Sequence, residues 1–139
     1  AMGLEALSRG AARASFIERD RAALAALRIN LDICQARDVS RVLSCSVTHP
    51  PKADVPHTLI FLDPPYGKSL VESGLRALAR NGWIAEDALI VAETGATEEF
   101  VPFIAGLKPV SATFVPEILC SRRFGAAQVT IWRHSVTSS

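Results

Sequence analysis

No stretch of this 139-residue chain approaches the roughly 20 uninterrupted apolar residues that a membrane span requires, and its N-terminus lacks the basic-then-apolar pattern of a signal segment. Both absences point to a cytoplasmic protein with no membrane partner. Cysteine is sparse: Cys34, Cys45 and Cys120 are odd in number, widely spaced and set among apolar residues. They read as reduced core thiols, which excludes a disulfide framework and a zinc cluster. His49, His57 and His134 are equally scattered, with no partner at metal-ligand spacing, so no metal site is expected. There is no internal repeat and no low-complexity segment. Excess charge is also missing, since the formal net charge is +1, and composition alone does not mark a nucleic-acid binder. Most of the basic residues are nevertheless arginine, the side chain suited to bidentate phosphate contact, and several are clustered: Arg19 and Arg21, Arg37 and Arg41, Arg122 and Arg123.

What remains is globular: 49% hydrophobic and 21% charged residues in a length that fits one domain, 1–139, with a monomer as the default. One run stands out. Thr58-Leu59-Ile60-Phe61-Leu62 is apolar and partly β-branched, as a strand buried on both faces would be. It ends abruptly in Asp63-Pro64-Pro65-Tyr66. Neither proline has an N–H to donate, so this turn offers a carboxylate and carbonyl oxygens with few competing donors. Such a surface accepts hydrogen bonds, and the exocyclic amine of a nucleobase would suit it. Tyr66 adds a flat face for stacking.

The rest of the chain alternates helices and strands. A short amphipathic helix occupies 1–11, with Leu4 and Leu7 on one face and Gly10 as a stop. A strand at 14–17 ends in Glu18, and Asp20 can cap the next helix. That helix carries Leu24, Leu27, Leu31 and Cys34 as a stripe and runs to about Ala36. A strand at 41–45 and a proline-rich loop at 49–56 precede the central strand. After it come a helix at 69–80 with Val71, Leu75 and Leu78 inward, a strand at 88–92 ending in Glu93, and a short helix near 98–105. Two strands at 110–119 and 127–133, joined by 120–125, form a closing hairpin. This order predicts an α/β fold, doubly wound and mostly parallel, with a C-terminal antiparallel hairpin. Ligands in such sheets bind at the carboxyl ends of strands, the rim on which Glu18, Ser46, Asp63 and Glu93 are expected.

An acidic residue after one strand and Asp63-Pro64-Pro65-Tyr66 after a later one resemble the class I S-adenosylmethionine-dependent methyltransferases that act on amino groups. The run Gly3-Leu4-Glu5-Ala6-Leu7-Ser8-Arg9-Gly10-Ala11, with Phe16-Ile17-Glu18-Arg19-Asp20 and Arg123-Phe124-Gly125, narrows the resemblance. It is closest to the RsmD-like bacterial 16S rRNA (guanine-N2)-methyltransferases. The resemblance implies S-adenosyl-L-methionine as cofactor and 16S rRNA, or a partly assembled 30S subunit, as partner. Asp63, Pro64, Pro65 and Tyr66 would be catalytic. Glu18 would accept the cofactor's ribose hydroxyls, and Arg19, Ser46, Val47 and Asp63 would complete the cofactor's surroundings. Lys68, Arg122, Arg123 and Phe124 would contact RNA. A DNA adenine-N6 or cytosine-N4 methyltransferase shares the Asp-Pro-Pro-Tyr logic, and a non-catalytic methyltransferase-like module or a nucleotide-dependent dehydrogenase are further alternatives.

One departure from the pattern matters. The family places a strand and a glycine-rich loop, its main contact to the methionine part of the cofactor, directly before the Gly3-Leu4-Glu5 helix, and this chain begins after them. Residues 1–139 expressed alone are therefore expected to bind S-adenosylmethionine weakly or not at all. Isothermal calorimetry tests this, and micromolar binding by that chain would overturn it.

Overall fold

The computed structural model describes residues 2–63, 68–95 and 117–134. Its elements are α1 (Met2–Ser8), β1 (Ala14–Glu18), α2 (Arg21–Ile33), a 3₁₀ turn (Arg37–Val39), β2 (Ser40–Ser44), β3 (His57–Leu62), α3 (Lys68–Arg80), β4 (Ile84–Gly95), β5 (Glu117–Phe124) and β6 (Ala127–His134). They divide between two compact units, Ala1–Pro50 and Pro51–Ser139. The short helix expected near 98–105 and the start of the strand expected at 110 lie outside the described residues. No helix among the described residues is long and apolar enough to cross a membrane.

In the first unit β1 and β2 pair in parallel, from Ala14 opposite Ser40 to Glu18 opposite Ser44. A β-carbon built on Gly3 would run into the Phe16 ring, so α1 rests against β1 closely enough that a side chain there would have to displace that ring. α2 begins where the sequence places it: the Asp20 side chain accepts the Ala23 N–H at 2.9 Å, satisfying one of the orphan donors of the first turn. Leu24 and Leu31 are buried. The helix stops at Ile33, earlier than its apolar stripe predicts, because Gln35 takes up φ 53°. Its N–H then reaches Asp32 O at 3.1 Å and the Ala36 N–H reaches Leu31 O at 2.9 Å, a Schellman closure made without glycine. A side-chain-bearing residue there costs roughly 1–2 kcal/mol, which is why composition gave no warning. Cys34 consequently falls on the cap and is exposed, while Cys45 and Cys120 are half-buried and all three thiols are free. The expected core role thus fails for Cys34. Burial pushes the Cys45 thiol pKa up.

In the second unit a four-stranded sheet has the order β3-β4-β6-β5. β3 pairs with β4 in parallel, while β6 is antiparallel to both β4 and β5. Among the described strands of this sheet β3, β4 and β5 therefore run in one direction and β6 alone is reversed, as a mostly parallel sheet closed by a C-terminal antiparallel hairpin requires. Ile60 faces Ile90 across the parallel pair and Ile90 faces Trp132 across the antiparallel one, so one apolar row crosses three strands. Val71, Leu75 and Leu78 of α3 are buried as their spacing predicts. Each such side chain contributes about 1.5–3 kcal/mol on burial.

β3 departs from expectation. It lies at an edge of its sheet, and its burial alternates instead of being continuous, with Ile60 and Leu62 inward and Leu59 39% exposed. A short apolar run does not reveal how many strands flank it. β4 is longer than its apolar centre implies: Asp87 at φ 62° accommodates a register irregularity between His57 and Leu59, and Arg133 Nη1 donates to the Asp87 carbonyl at 3.2 Å. The start of β3 is held by Trp83, 3% exposed. Its Nε1 donates to Pro51 O at 2.7 Å, its carbonyl accepts the His57 N–H at 2.7 Å, and its ring lies 5.2 Å from that of His57.

His134 closes β6 at 4% exposure, and its Nδ1 has no hydrogen-bond partner among the described residues. Burial lowers its pKa from the ordinary 6.5, so the folded protein holds the neutral ring while the unfolded chain takes up a proton first. The contribution of His134 to stability is therefore whole above pH 6.5 and is lost as the pH falls through the lowered folded-state value. Urea midpoints at pH 7.5 and 5.5 should fall with acidification in the wild type and fall less in His134→Gln.

Candidate functional site

The carboxyl ends of the parallel strands hold the residues singled out by the sequence. In the first unit β1 ends in Glu18, partly buried. Its Oε1 accepts the N–H groups of Arg19 at 3.1 Å and Asp20 at 3.0 Å. The chain turns tightly here because Asp20 must cap α2, and that turn fixes the carboxylate in place. Oε2 has no hydrogen bond among the described residues, so one oxygen is anchored and the other is open. Arg19 is exposed beside it.

β2 ends at Ser44, level with Glu18, and the partly buried Ser46 and Val47 follow in the next turn. Ser46 Oγ lies 2.8 Å from Thr48 Oγ1 and accepts the Thr48 N–H at 3.3 Å. Thr48 Oγ1 lies 3.0 Å from His49 Nδ1. A linked row Ser46, Thr48, His49 is thus formed, and sequence reasoning missed its last two members. The visible signal was the spacing Ser-x-Thr-His, in which hydroxyls two residues apart can bond the local backbone.

In the second unit Asp63 follows the last paired residue of β3 and is exposed. Leu62 pairs with Ala92, so Asp63 and Glu93 are the next residues along two neighbouring parallel strands, both on the face opposite Leu62 and Ala92. β4 does not stop at Glu93 as expected but continues to Gly95, because β6 pairs with it to that point. Thr94 and Thr130, both buried, were not anticipated, and their hydroxyls have no partner among the described residues. Pro64, Pro65 and Tyr66 lie outside the described residues. Lys68 opens α3.

The hairpin corrects the reading of Arg122, Arg123 and Phe124. All three belong to β5 rather than to a loop, and the turn is confined to Gly125 and Ala126, with Gly125 at φ 60°. A two-residue turn of this hand suits the twist of the flanking strands. The polar composition of 120–123 concealed an edge strand, which is wetted on both faces. Because strand residues alternate, Arg122 and Arg123 point to opposite faces, and Phe124, 61% exposed, shares a face with Arg122. Gly95 pairs with Ala127, so the hairpin tip lies beside the carboxyl end of β4. Among the described residues no group of three or more His, Cys, Asp or Glu side chains could hold a metal ion.

A family model described as Conserved hypothetical protein 95 matches residues 1–118. The chain belongs to this RsmD-like family. It is 42% identical over 94 residues to ribosomal RNA small subunit methyltransferase D of Escherichia coli, an alignment covering 68% of this chain and 48% of that protein. The chain therefore spans about half the length of the curated relatives it matches. Among solved structures it is similar to a putative methyltransferase of E. coli (TM-score 0.76, 31% identity, 99% of this chain and 71% of that one). A putative methylase of Haemophilus influenzae is likewise similar (TM-score 0.75, 26% identity, 97% and 80%). The α/β methyltransferase fold anticipated from the sequence agrees with these likenesses.

Proposed function

We propose that the protein is an S-adenosylmethionine-dependent methyltransferase that transfers a methyl group to the exocyclic N2 amine of a guanine in 16S ribosomal RNA, acting in the cytoplasm. One observation carries this reading: an apolar strand that ends in an exposed carboxylate, Asp63, followed in sequence by Pro64-Pro65-Tyr66. The relatives' names supply the class of substrate. Residues 1–139 are read as one methyltransferase domain.

The residues fit the donor at Glu18. A ribose presents two hydroxyl donors, and Oε2 of an anchored carboxylate is an acceptor held in a fixed place before any ligand arrives. Arg19, Ser46 and Val47 would surround the adenine. S-adenosylmethionine, when bound, supplies an electrophilic sulfonium methyl. Asp63 and the Pro64 carbonyl would accept the two hydrogens of the guanine amine, whose lone pair is otherwise delocalised into the ring. Holding those hydrogens outward favours a pyramidal, nucleophilic nitrogen aligned for attack. With the amine held so, its lone pair would be directed at the methyl carbon, the cofactor's sulfur would keep the electron pair of the bond it gives up, and the amine proton would pass to solvent. Orientation and a preorganised pocket, not a strong base, would carry the rate. Pro65 would keep the turn free of competing N–H groups, and Tyr66 would stack on the extruded base.

In the full-length protein Asp63→Ala should abolish transfer of labelled methyl to 16S RNA while leaving cofactor affinity within a few-fold. Retained turnover refutes the assignment. Running naked 16S RNA, assembled 30S particles and DNA in parallel identifies the substrate, and activity confined to DNA would overturn the RNA reading.

Lys68, Arg122, Arg123 and Phe124 are the proposed RNA contacts. Since Arg122 and Arg123 lie on opposite faces of β5, they would not share a phosphate, and Arg122 alone stands beside Phe124. Filter binding of RNA across a salt series should show weaker binding for Arg122→Glu than for Arg123→Glu. The double reversal should flatten the dependence of log K on log salt by roughly 0.7 for each phosphate that is no longer neutralised.

A further inference from the structure

Thr48 and His49 share the turn after β2 with Ser46. The His49 N–H donates to Ser46 O at 3.0 Å and the Thr48 N–H donates to Ser46 Oγ at 3.3 Å, so the backbone of the turn is closed around Ser46. Pro50 follows and is buried, and a proline disfavours helical backbone at the residue before it, which narrows the places open to the His49 ring. Its Nδ1 lies 3.0 Å from Thr48 Oγ1, and Thr48 Oγ1 lies 2.8 Å from Ser46 Oγ. Ser46 and Thr48 are partly exposed and His49 is exposed, so the row opens to solvent at the carboxyl end of β2.

With the Thr48 hydroxyl hydrogen held inside the row, the two hydroxyls and the imidazole nitrogen run in one of two directions. In the first, Nδ1 accepts the Thr48 hydrogen, Thr48 Oγ1 accepts the Ser46 hydrogen, and Ser46 Oγ keeps one lone pair besides the one given to the Thr48 N–H. Ser46 then meets a ligand as an acceptor. In the second, Nδ1–H donates to Thr48 and the Thr48 hydroxyl donates to Ser46, which engages both lone pairs of Ser46 and turns its hydrogen outward. Ser46 then meets a ligand as a donor. The second direction makes the N–H and O–H of Thr48 converge on one oxygen, whereas the first keeps those two positive ends apart. Changing direction requires the ring to carry its hydrogen on the other nitrogen and both hydroxyls to turn.

We propose that Thr48 and His49 are positioning residues that hold the first direction, so that Ser46 selects a 6-aminopurine as the base of the methyl donor. This rests on the methyltransferase reading above. Glu18 and Ser44 end neighbouring strands in register, so a ribose held at Glu18 Oε2 has the turn after β2 beside it, and the attached base meets Ser46 there. The 6-amino group of adenine offers a hydrogen to the free lone pair of Ser46. A 6-oxo purine brings an oxygen to the same place, and a site arranged to accept a hydrogen loses that bond and leaves its own acceptor unpaired. Two residues that need not touch the base thus decide which base is taken.

Calorimetry on the full-length protein with S-adenosylhomocysteine and its 6-oxo analogue, S-inosylhomocysteine, reads this choice. The wild type should bind the first about tenfold more tightly. Thr48→Val keeps the N–H and the branched shape but frees the Ser46 hydroxyl to turn, and should bring the ratio to about twofold. His49→Leu should lower it likewise, while His49→Asn, whose Oδ1 stands in for Nδ1 as an acceptor, should restore it. In a Ser46→Ala background Thr48→Val should leave the ratio unaltered, because the row acts through Ser46. A merely structural role would weaken both compounds together and leave their ratio as it was. An unchanged ratio in Thr48→Val beside intact binding of S-adenosylhomocysteine overturns this proposal alone. Failure of the wild type to bind either compound overturns it together with the methyltransferase reading.

Discussion

The parallel pairing of β3 with β4 is the constraint on which the second unit depends. Parallel neighbours cannot be joined by a tight turn, so the chain must cross over, and α3 makes that crossing with Val71, Leu75 and Leu78 buried. The pairing also brings Asp63 and Glu93 to the ends of adjacent strands. Trp83 holds its beginning: by bonding Pro51 and receiving the His57 N–H it joins the end of α3, the preceding loop and the first residue of β3. Ala53 N–H donating to Asn81 O at 2.9 Å ties the same loop a second time. An indole buried as deeply as Trp83 combines a large apolar surface with one donor that must be satisfied, and here the partner is the Pro51 carbonyl.

Three helices end in one way, by a residue at positive φ whose N–H and the next fold back onto the last turn. Gly10 and Gly82 do this at φ 109° and 80° and were legible as stops, because glycine is the usual residue there. Gln35 was not legible, and the end of α2 and the exposure of Cys34 were misread for that single reason. Asp20 was read correctly because a side-chain cap is written in the residue itself. Sheet position was harder. The apolar run Thr58–Leu62 declared a strand but not its neighbours, which are set by pairing over long sequence distances. The hairpin residues 120–123 looked like a loop because an edge strand can be polar on both faces.

For the candidate site the chemistry was more legible than the geometry. Carboxylates at strand ends, the proline pair and the aromatic after it can be picked out from residue type and spacing. Nothing in composition said that Glu18 would spend one oxygen on its own backbone, or that Ser46 would enter a row with Thr48 and His49. Those arrangements arise where the chain leaves a strand and its unpaired N–H groups need local acceptors. The effect is the same at both places. Side chains at the strand ends are fixed by short-range bonds to the turn that carries them, which lowers the entropy lost when a ligand arrives.

The outer edge of β3 has a further consequence. Thr58, Leu59 and Ile60 present a row of backbone donors and acceptors that no described strand takes up, with Leu59 partly in water. No lysine, glutamate or proline interrupts those residues, and those are the devices by which sheet proteins discourage unwanted neighbours. Such an edge is a template. Within the second unit, the same few residues that lead to Asp63 thus offer backbone groups with which a further strand could pair.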